Sequence, residues 1–217
     1  MNLPRALRTL FTAGKGVVIG MDDATTESDP MELFANWFEA ADRSGLILPE
    51  SMALATSSRD GKPSVRMILL KSFDEKGFVF FTNYNSRKSS ELLENPHGAL
   101  LFHWNILQRQ IRVEGIVEKT SEAESDAYFA SRGRGSQIGA WASKQSEQLS
   151  TRGELETRFR EMEKRFDGKE IQRPPFWGGF RLRTEKIEFW QGKANRLHDR
   201  IIFSKLPDSW SVDRYYP

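Results

Sequence analysis

The sequence predicts a mainly β protein with flanking helices, an α+β chain whose strands run mostly antiparallel. Three observations carry this. Short runs rich in Val, Ile, Leu and Phe recur between turns built from Gly, Asp, Asn and Pro, which is the pattern of hairpins. Helical periodicity is confined to a few separate segments. No strand–helix alternation and no Gly-x-Gly-x-x-Gly turn is present, which disfavours a doubly wound nucleotide fold. Roughly seven or eight hairpin-connected strands with three or four helices outside them close into a barrel or a sandwich.

Taken in order, residues 1–27 lack clear periodicity, and 21–29 is acidic and polar, so a mobile lead-in is expected ahead of one domain over 28–217. Asp29-Pro30 reads as a helix cap followed by proline at the first helical position. Leu33, Phe34, Trp37, Phe38 and Ala41 then share one helical stripe, closed by Gly45. Strands follow at 52–57, 65–73 and 78–83, separated by the turns 59–63 and 74–77. A brief helix at 89–95 is stopped by Pro96. Residues 99–104 and 110–117 pair, with Gly115 marking a bulge. Ser121 and Glu124 have capping-box spacing for a helix to about residue 131, and Thr151 and Glu154 repeat it for a helix carrying Leu155, Phe159, Met162 and Phe166. Residues 132–148 show no clean period. After Arg173-Pro174-Pro175, strands are expected near 177–184, 186–190, 199–204 and 210–215.

Lys plus Arg number 32 and Asp plus Glu 30, a formal net charge of +2, which argues against a dedicated nucleic-acid binder. The absence of cysteine removes disulfides, thiolate nucleophiles and cysteine-ligated metals, and fits a reducing cytoplasm. His97, His103 and His198 lack metal-ligand spacing, so no metal is expected. No apolar run approaches a membrane span, and no signal peptide is read.

Several clusters suit anions and flat rings. Residues 187–200 begin as a strand, break at Gln191-Gly192, and then place Arg196, His198 and Arg200 at alternate positions. If that segment is extended, all three share one face beside Trp190, where guanidiniums suit phosphate or carboxylate and an imidazole holds or passes a proton. A solvated sheet edge is the plain alternative. In 66–71, Arg66 and Lys71 bracket Met67, Ile68, Leu69 and Leu70. Alternation puts the two cations on opposite faces, where they serve two anions or, across a bulge, one. In 82–88 a strand ends in Thr, Asn and Ser donors followed by Arg87 and Lys88 just before a helix, a phosphate receptor in type. Tyr128, Arg132 and Ser136 are each four residues apart and would share a helical face, although Gly133 and Gly135 argue that the helix has ended. Gln110, Gln145 and Ser146 could meet the edge of a heteroaromatic ring. No acid pair, nucleophile elbow or Walker loop is present, so the reactive group is expected to be a borrowed cofactor carrying its own phosphate.

Taken together and in order, RMILLK, FFTNYNSRKS, RQIRVEG, YFASR, SQIGAWASKQS, FWGGF and EFWQGKANRLHDR closely resemble the motifs of the pyridoxamine 5′-phosphate oxidase family, over residues 31–217. The resemblance implies a split β-barrel flavoprotein, a homodimer with FMN across the subunit interface. The implied reaction oxidises pyridoxamine or pyridoxine 5′-phosphate to pyridoxal 5′-phosphate, with O2 as acceptor giving hydrogen peroxide. It implies FMN contacts from Arg66, Met67, Ile68, Leu69, Leu70, Lys71, Phe81, Thr82, Arg87, Lys88, Gln110, Gln145, Ser146, Trp190 and Arg200. It implies substrate contacts from Lys71, Tyr128, Arg132, Ser136, Arg196, Leu197 and His198, with Arg196 and His198 at the reacting carbon. The chain departs from its relatives at Leu48, where they often place an acid, and in an acidic lead-in that lacks their tyrosine.

Overall fold

The computed structural model describes Met21 and residues 29–217. The expected lead-in over 1–27 therefore lies, Met21 apart, outside the described residues. Helix α1 spans Pro30–Arg43; Asp29 Oδ1 accepts from Met31 N (2.8 Å) and Pro30 opens the helix, as the cap signal required. Its stripe buries Phe34, Trp37 and Ala41.

Five strands and a second helix follow. They are β1 (Ser51–Ser57), β2 (Pro63–Leu69), β3 (Ser72–Asp74), β4 (Gly77–Asn83), α2 (Arg87–Glu94) and β5 (His97–Trp104). Strand β6 is Arg109–Lys119, and helices α3, α4 and α5 are Glu122–Ser131, Arg134–Ala142 and Arg152–Arg165. The chain ends in the 15-residue β7 (Trp177–Gln191), then β8 (Asp199–Lys205) and β9 (Trp210–Arg214). The nine strands form one antiparallel sheet in the order β2-β1-β5-β6-β7-β4-β3, with β8 and β9 continuing from the far half of β7.

The single strand expected over 65–73 is two. It breaks at Leu70-Lys71, and its halves lie at opposite ends of the sheet order. Two residues cannot cross a flat sheet. The sheet must therefore curl until its ends meet, and the backbone records this: Leu70 N donates to Glu50 O and Lys71 N to Val79 O, both at 2.9 Å. The result is a curled, split barrel of antiparallel strands. Inside it Phe34 packs edge-on against Phe73, Phe78 and Phe102 at centroid distances of 4.7, 4.8 and 5.2 Å.

The two strands expected at 177–184 and 186–190 are one. A bulge joins them where Glu114 and Gly115 face Lys186 and Thr184, leaving Glu185 unmatched. A Cβ on Gly115 would stand 1.9 Å from Arg183 O, so the bulge admits only glycine. Helix α4 falls within 132–148, where the sequence shows no clean period. Gly133 sits at its cap without a side-chain bond, so the sequence lacks the usual start signal. Ser121 and Glu124 complete a capping box on α3, whereas at α5 only Thr151 accepts from Glu154 N, and none of the α5 residues is fully buried.

Candidate functional site

Lys71, at the break between β2 and β3, opens onto a cavity of about 720 Å³. Met67, Ile68 and Leu69 from β2 and Phe81, Thr82 and Asn83 from β4 form one wall. Tyr128, Arg132 and Ser136 from the α3–α4 corner form the other, with Trp177 below them and Gln145 and Lys88 at one end. Tyr128, Arg132 and Ser136 do meet, but not on one helix. α3 stops at Ser131, Arg132 is extended (φ −73°, ψ 143°), and α4 starts at Arg134. The corner brings the three together. Leu70 turns its side chain into the barrel core instead.

Lys88 is 8 % exposed, and its Nζ donates to Thr82 Oγ1 (3.0 Å), Ser86 Oγ (3.1 Å) and Gln145 Oε1 (3.1 Å). All three acceptors are neutral. Burial, and secondarily the charge of Arg66, hold its pKa down at about 8. Arg132 lies over the Trp177 ring at 4.7 Å, burial lowers its pKa, and its buried Nη1 has no hydrogen-bond partner. Among the described residues neither Lys71, Lys88 nor Arg132 has a carboxylate partner, and no Asp or Glu lines the cavity. Three cations thus face one hollow without a carboxylate, and for buried Lys88 and half-buried Arg132 this is costly unless an anion enters.

A smaller hollow adjoins this one, sharing Met67, Lys88 and Gln145, and adds Ser64, Arg66, Arg87 and Ser146. Arg66 and Arg87 are held by one carboxylate, that of Glu91, which is absent from the expected site residues. Glu91 Oε1 accepts from Arg87 Nε (2.8 Å), and Oε2 from Arg66 Nη2 (3.2 Å), Thr56 Oγ1 and Ser64 Oγ (both 2.5 Å). Burial pushes the Glu91 carboxyl up, but the bonds from Ser64, Thr56, Arg87 and Arg66 outweigh it and hold it at about 2. The four-residue spacing from Arg87 was the available signal. Trp177 was likewise missed as a cavity wall, whereas Asn83 falls in the donor cluster expected over 82–88.

The remaining residues gather elsewhere. Gln110, Trp190 and Arg200 form one cross-strand row on β6, β7 and β8. The His198 ring lies 4.6 Å from Trp190, and its Nδ1 accepts from Lys193 N (3.0 Å). Arg200 pairs with buried Glu188 at 2.7 Å. The extended Arg196–His198–Arg200 face does not form. Residues Ala194–Arg196 make a 3₁₀ turn, with Asn195 and Arg196 at φ 57° and 62°, and Leu197 is 68 % exposed. Turn geometry replaces strand alternation there. This second group does not line the cavity.

Among the described residues no helix is long and apolar enough to cross a membrane, and no three His, Asp or Glu side chains gather to hold a metal.

Comparison with known proteins bears on this architecture. Residues 38–166 match the family model described as pyridoxamine 5′-phosphate oxidase, and 177–217 match that of the pyridoxine 5′-phosphate oxidase C-terminal dimerisation region. The chain is 54 % identical over 217 residues, the whole of both chains, to the pyridoxine/pyridoxamine 5′-phosphate oxidase of Psychromonas ingrahamii. It is 56 % identical over 198 residues, 91 % of each chain, to that of Rubrobacter xylanophilus. Among solved structures it resembles PhzG from Burkholderia lata 383, in complex with tetrahydrophenazine-1-carboxylic acid, at 30 % identity and a TM-score of 0.84, covering 92 % of this chain and 100 % of that one. A pyridoxamine 5′-phosphate oxidase-related, FMN binding protein from Nostoc punctiforme shares the fold at 15 % identity and a TM-score of 0.68, covering 88 % of this chain and 100 % of that one. With identity above half running the full length of a curated relative, and both family models in their expected order, this chain belongs to the pyridoxamine 5′-phosphate oxidase family.

Proposed function

We propose that this chain is an FMN-dependent oxidase that converts pyridoxamine 5′-phosphate or pyridoxine 5′-phosphate to pyridoxal 5′-phosphate, with O2 as acceptor. The observation that carries the reading is the set of uncompensated cations around the cavity, Lys71, Lys88 and Arg132, together with aromatic and amide walls. The names of the close relatives support it.

The donor set fits FMN. Arg66, Arg87 and Lys88 with ionised Glu91 leave a net charge of about two, against the −1.5 to −2 of a phosphate monoester. Met67, Ile68 and Leu69 supply an apolar wall, and Gln145 and Ser146 supply polar edges, with Phe81 and Thr82 alongside. When bound, FMN would supply the electron acceptor for oxidation of the substrate at C4′, with O2 as the final acceptor giving hydrogen peroxide. Lys71, Tyr128, Arg132 and Ser136 bind the substrate's phosphate. That binding is remote from the reacting carbon and helps to orient it.

Gln110, Trp190, Arg196, Leu197, His198 and Arg200 come, in this reading, from a second copy of the chain in a homodimer. Support comes from the match of 177–217 to a dimerisation region and from the exposed apolar Val65, Met67 and Leu197. Arg196 fixes the substrate ring, and His198 holds or passes the proton at the C4′ oxygen or nitrogen. The relative that carries a tetrahydrophenazine ligand suggests another ring as substrate. The cation, tyrosine and serine set at the α3–α4 corner favours a phosphorylated one.

The visible spectrum of freshly purified protein, before and after anaerobic pyridoxine 5′-phosphate, tests the reading. A flavin band that bleaches is expected; a colourless protein, or a yellow one left unchanged, would sink it.

A pH dependence follows from Lys88. An entering phosphate raises a pKa that sits at about 8 without it, so binding takes up a proton above that pH. FMN affinity of the apoprotein should hold nearly constant from pH 7 to 8 and fall by up to about tenfold per unit above that. Fluorescence titration from pH 7 to 9.5 checks this, and Lys88→Met should flatten the profile.

A further inference from the structure

Arg132 is held in an unusual way for a partly buried arginine of this chain. Arg173 pairs with Glu122 and Asp126, and Arg181 with Asp74 and Glu124. Arg132 has no carboxylate. Its guanidinium carbon stands 4.7 Å from the Trp177 ring centroid and 5.8 Å from that of Phe129. Arg109 also lies over an indole, Trp37, at 4.2 Å, but it donates from Nε to Gln191 Oε1 (2.8 Å), whereas Nη1 of Arg132 is buried and unpaired. The indole is itself fixed. Trp177 is 6 % exposed and lies nearly parallel to Phe81 (5.6 Å, 11°) and Tyr128 (6.1 Å, 7°), and Phe81 and Tyr128 stack at 4.0 Å.

An aromatic face and a carboxylate both hold a cation, with opposite consequences for a third group. A carboxylate neutralises the guanidinium and occupies its N–H donors. A ring face attracts the cation through its quadrupole and leaves the N–H groups at the guanidinium edge free. Arg132 sits in the extended link between α3 and α4, outside either helix.

We propose that Trp177 is a positioning residue for the substrate: its indole face, locked by Phe81 and Tyr128, sets the Arg132 guanidinium toward the cavity with its donors unspent, and so determines affinity for the phosphate of the substrate. This rests on the reading of Arg132 as a ligand of that phosphate.

A double-mutant cycle on the FMN-loaded enzyme tests it, with pyridoxine 5′-phosphate as the varied substrate and inorganic phosphate as a competing inhibitor. Trp177→Leu should raise KM, and the inhibition constant of phosphate with it, by about tenfold, the size expected of a desolvated cation–π contact. The loss should appear in KM far more than in kcat. In an Arg132→Ala background the same substitution should change KM by less than about twofold, because the group it acts through is gone. Trp177→Phe keeps a ring at the site and should lie between wild type and Trp177→Leu; it also carries the test if the leucine variant fails to load FMN. An equal KM rise in both backgrounds overturns the inference while leaving Arg132 a phosphate ligand. Arg132→Ala with unchanged KM overturns the underlying reading, and the inference with it.

Discussion

Replacing Arg132 with alanine is expected to raise the KM for pyridoxine 5′-phosphate by about 100-fold, roughly the 3 kcal/mol of a charge-assisted hydrogen bond to phosphate. The group faces the cavity, is partly buried, and has no protein partner at Nη1. Nothing in the chain therefore replaces what the substrate loses. FMN occupancy should be preserved, since Arg66, Arg87 and Lys88 all border the adjoining hollow, which Arg132 does not line. Arg132→Lys should recover only part of the loss, because an ammonium neither forks onto two oxygens nor lies flat on Trp177. Steady-state peroxide release with varied substrate measures the effect, and a KM within threefold of wild type would remove Arg132 from the substrate site.

The largest loss of stability is expected from Glu91→Ala. One buried carboxylate on α2 takes hydrogen bonds from Thr56 on β1, from Ser64 and Arg66 on β2, and from Arg87 on its own helix. Its removal leaves two hydroxyls and the largely buried Arg66 guanidinium short of an acceptor, with repulsion between Arg66 and Lys88 unopposed. Breaking a buried pair in this way costs roughly 3–5 kcal/mol, which for a chain of this length lowers Tm on the order of 10 °C. The carboxyl's pKa is held at about 2, below its ordinary value of 4.5. Its contribution is thus fully present above pH 4.5 and is lost as the pH falls from there toward 2. Urea midpoints between pH 2.5 and 6 should decline steeply for the wild-type protein and less so for Glu91→Gln. Parallel declines would mean that Glu91 is not held ionised by the fold.

Much of the architecture was legible locally, because its signals act over a few residues. Asp29-Pro30 capped α1, Ser121 and Glu124 boxed the start of α3, and Gly115 marked the bulge. Helix α4 was not legible, since Gly133 and Gly135 carry low helix propensity and the helix is held by burial of Ile138 and Ala142. The Leu70-Lys71 break was hidden for a similar reason. Ile68 and Leu69 before it and Phe73 after it are apolar, and only the closing of the sheet on itself separates them.

For the site, the sequence by itself determined which chemistry is present: cations, amides and flat rings, no thiol, and motifs that resemble one family. It did not determine which of these groups meet. The register of β6, β7 and β8 aligns Gln110, Trp190 and Arg200, and a turn with two left-handed residues dissolves the face that alternation would have given Arg196, His198 and Arg200. The α3–α4 corner gathers Tyr128, Arg132 and Ser136 although no helix joins them. Residue type fixes what a side chain can bind, whereas direction depends on backbone dihedrals and on partners distant in sequence. Only the closed sheet and its helices supply those.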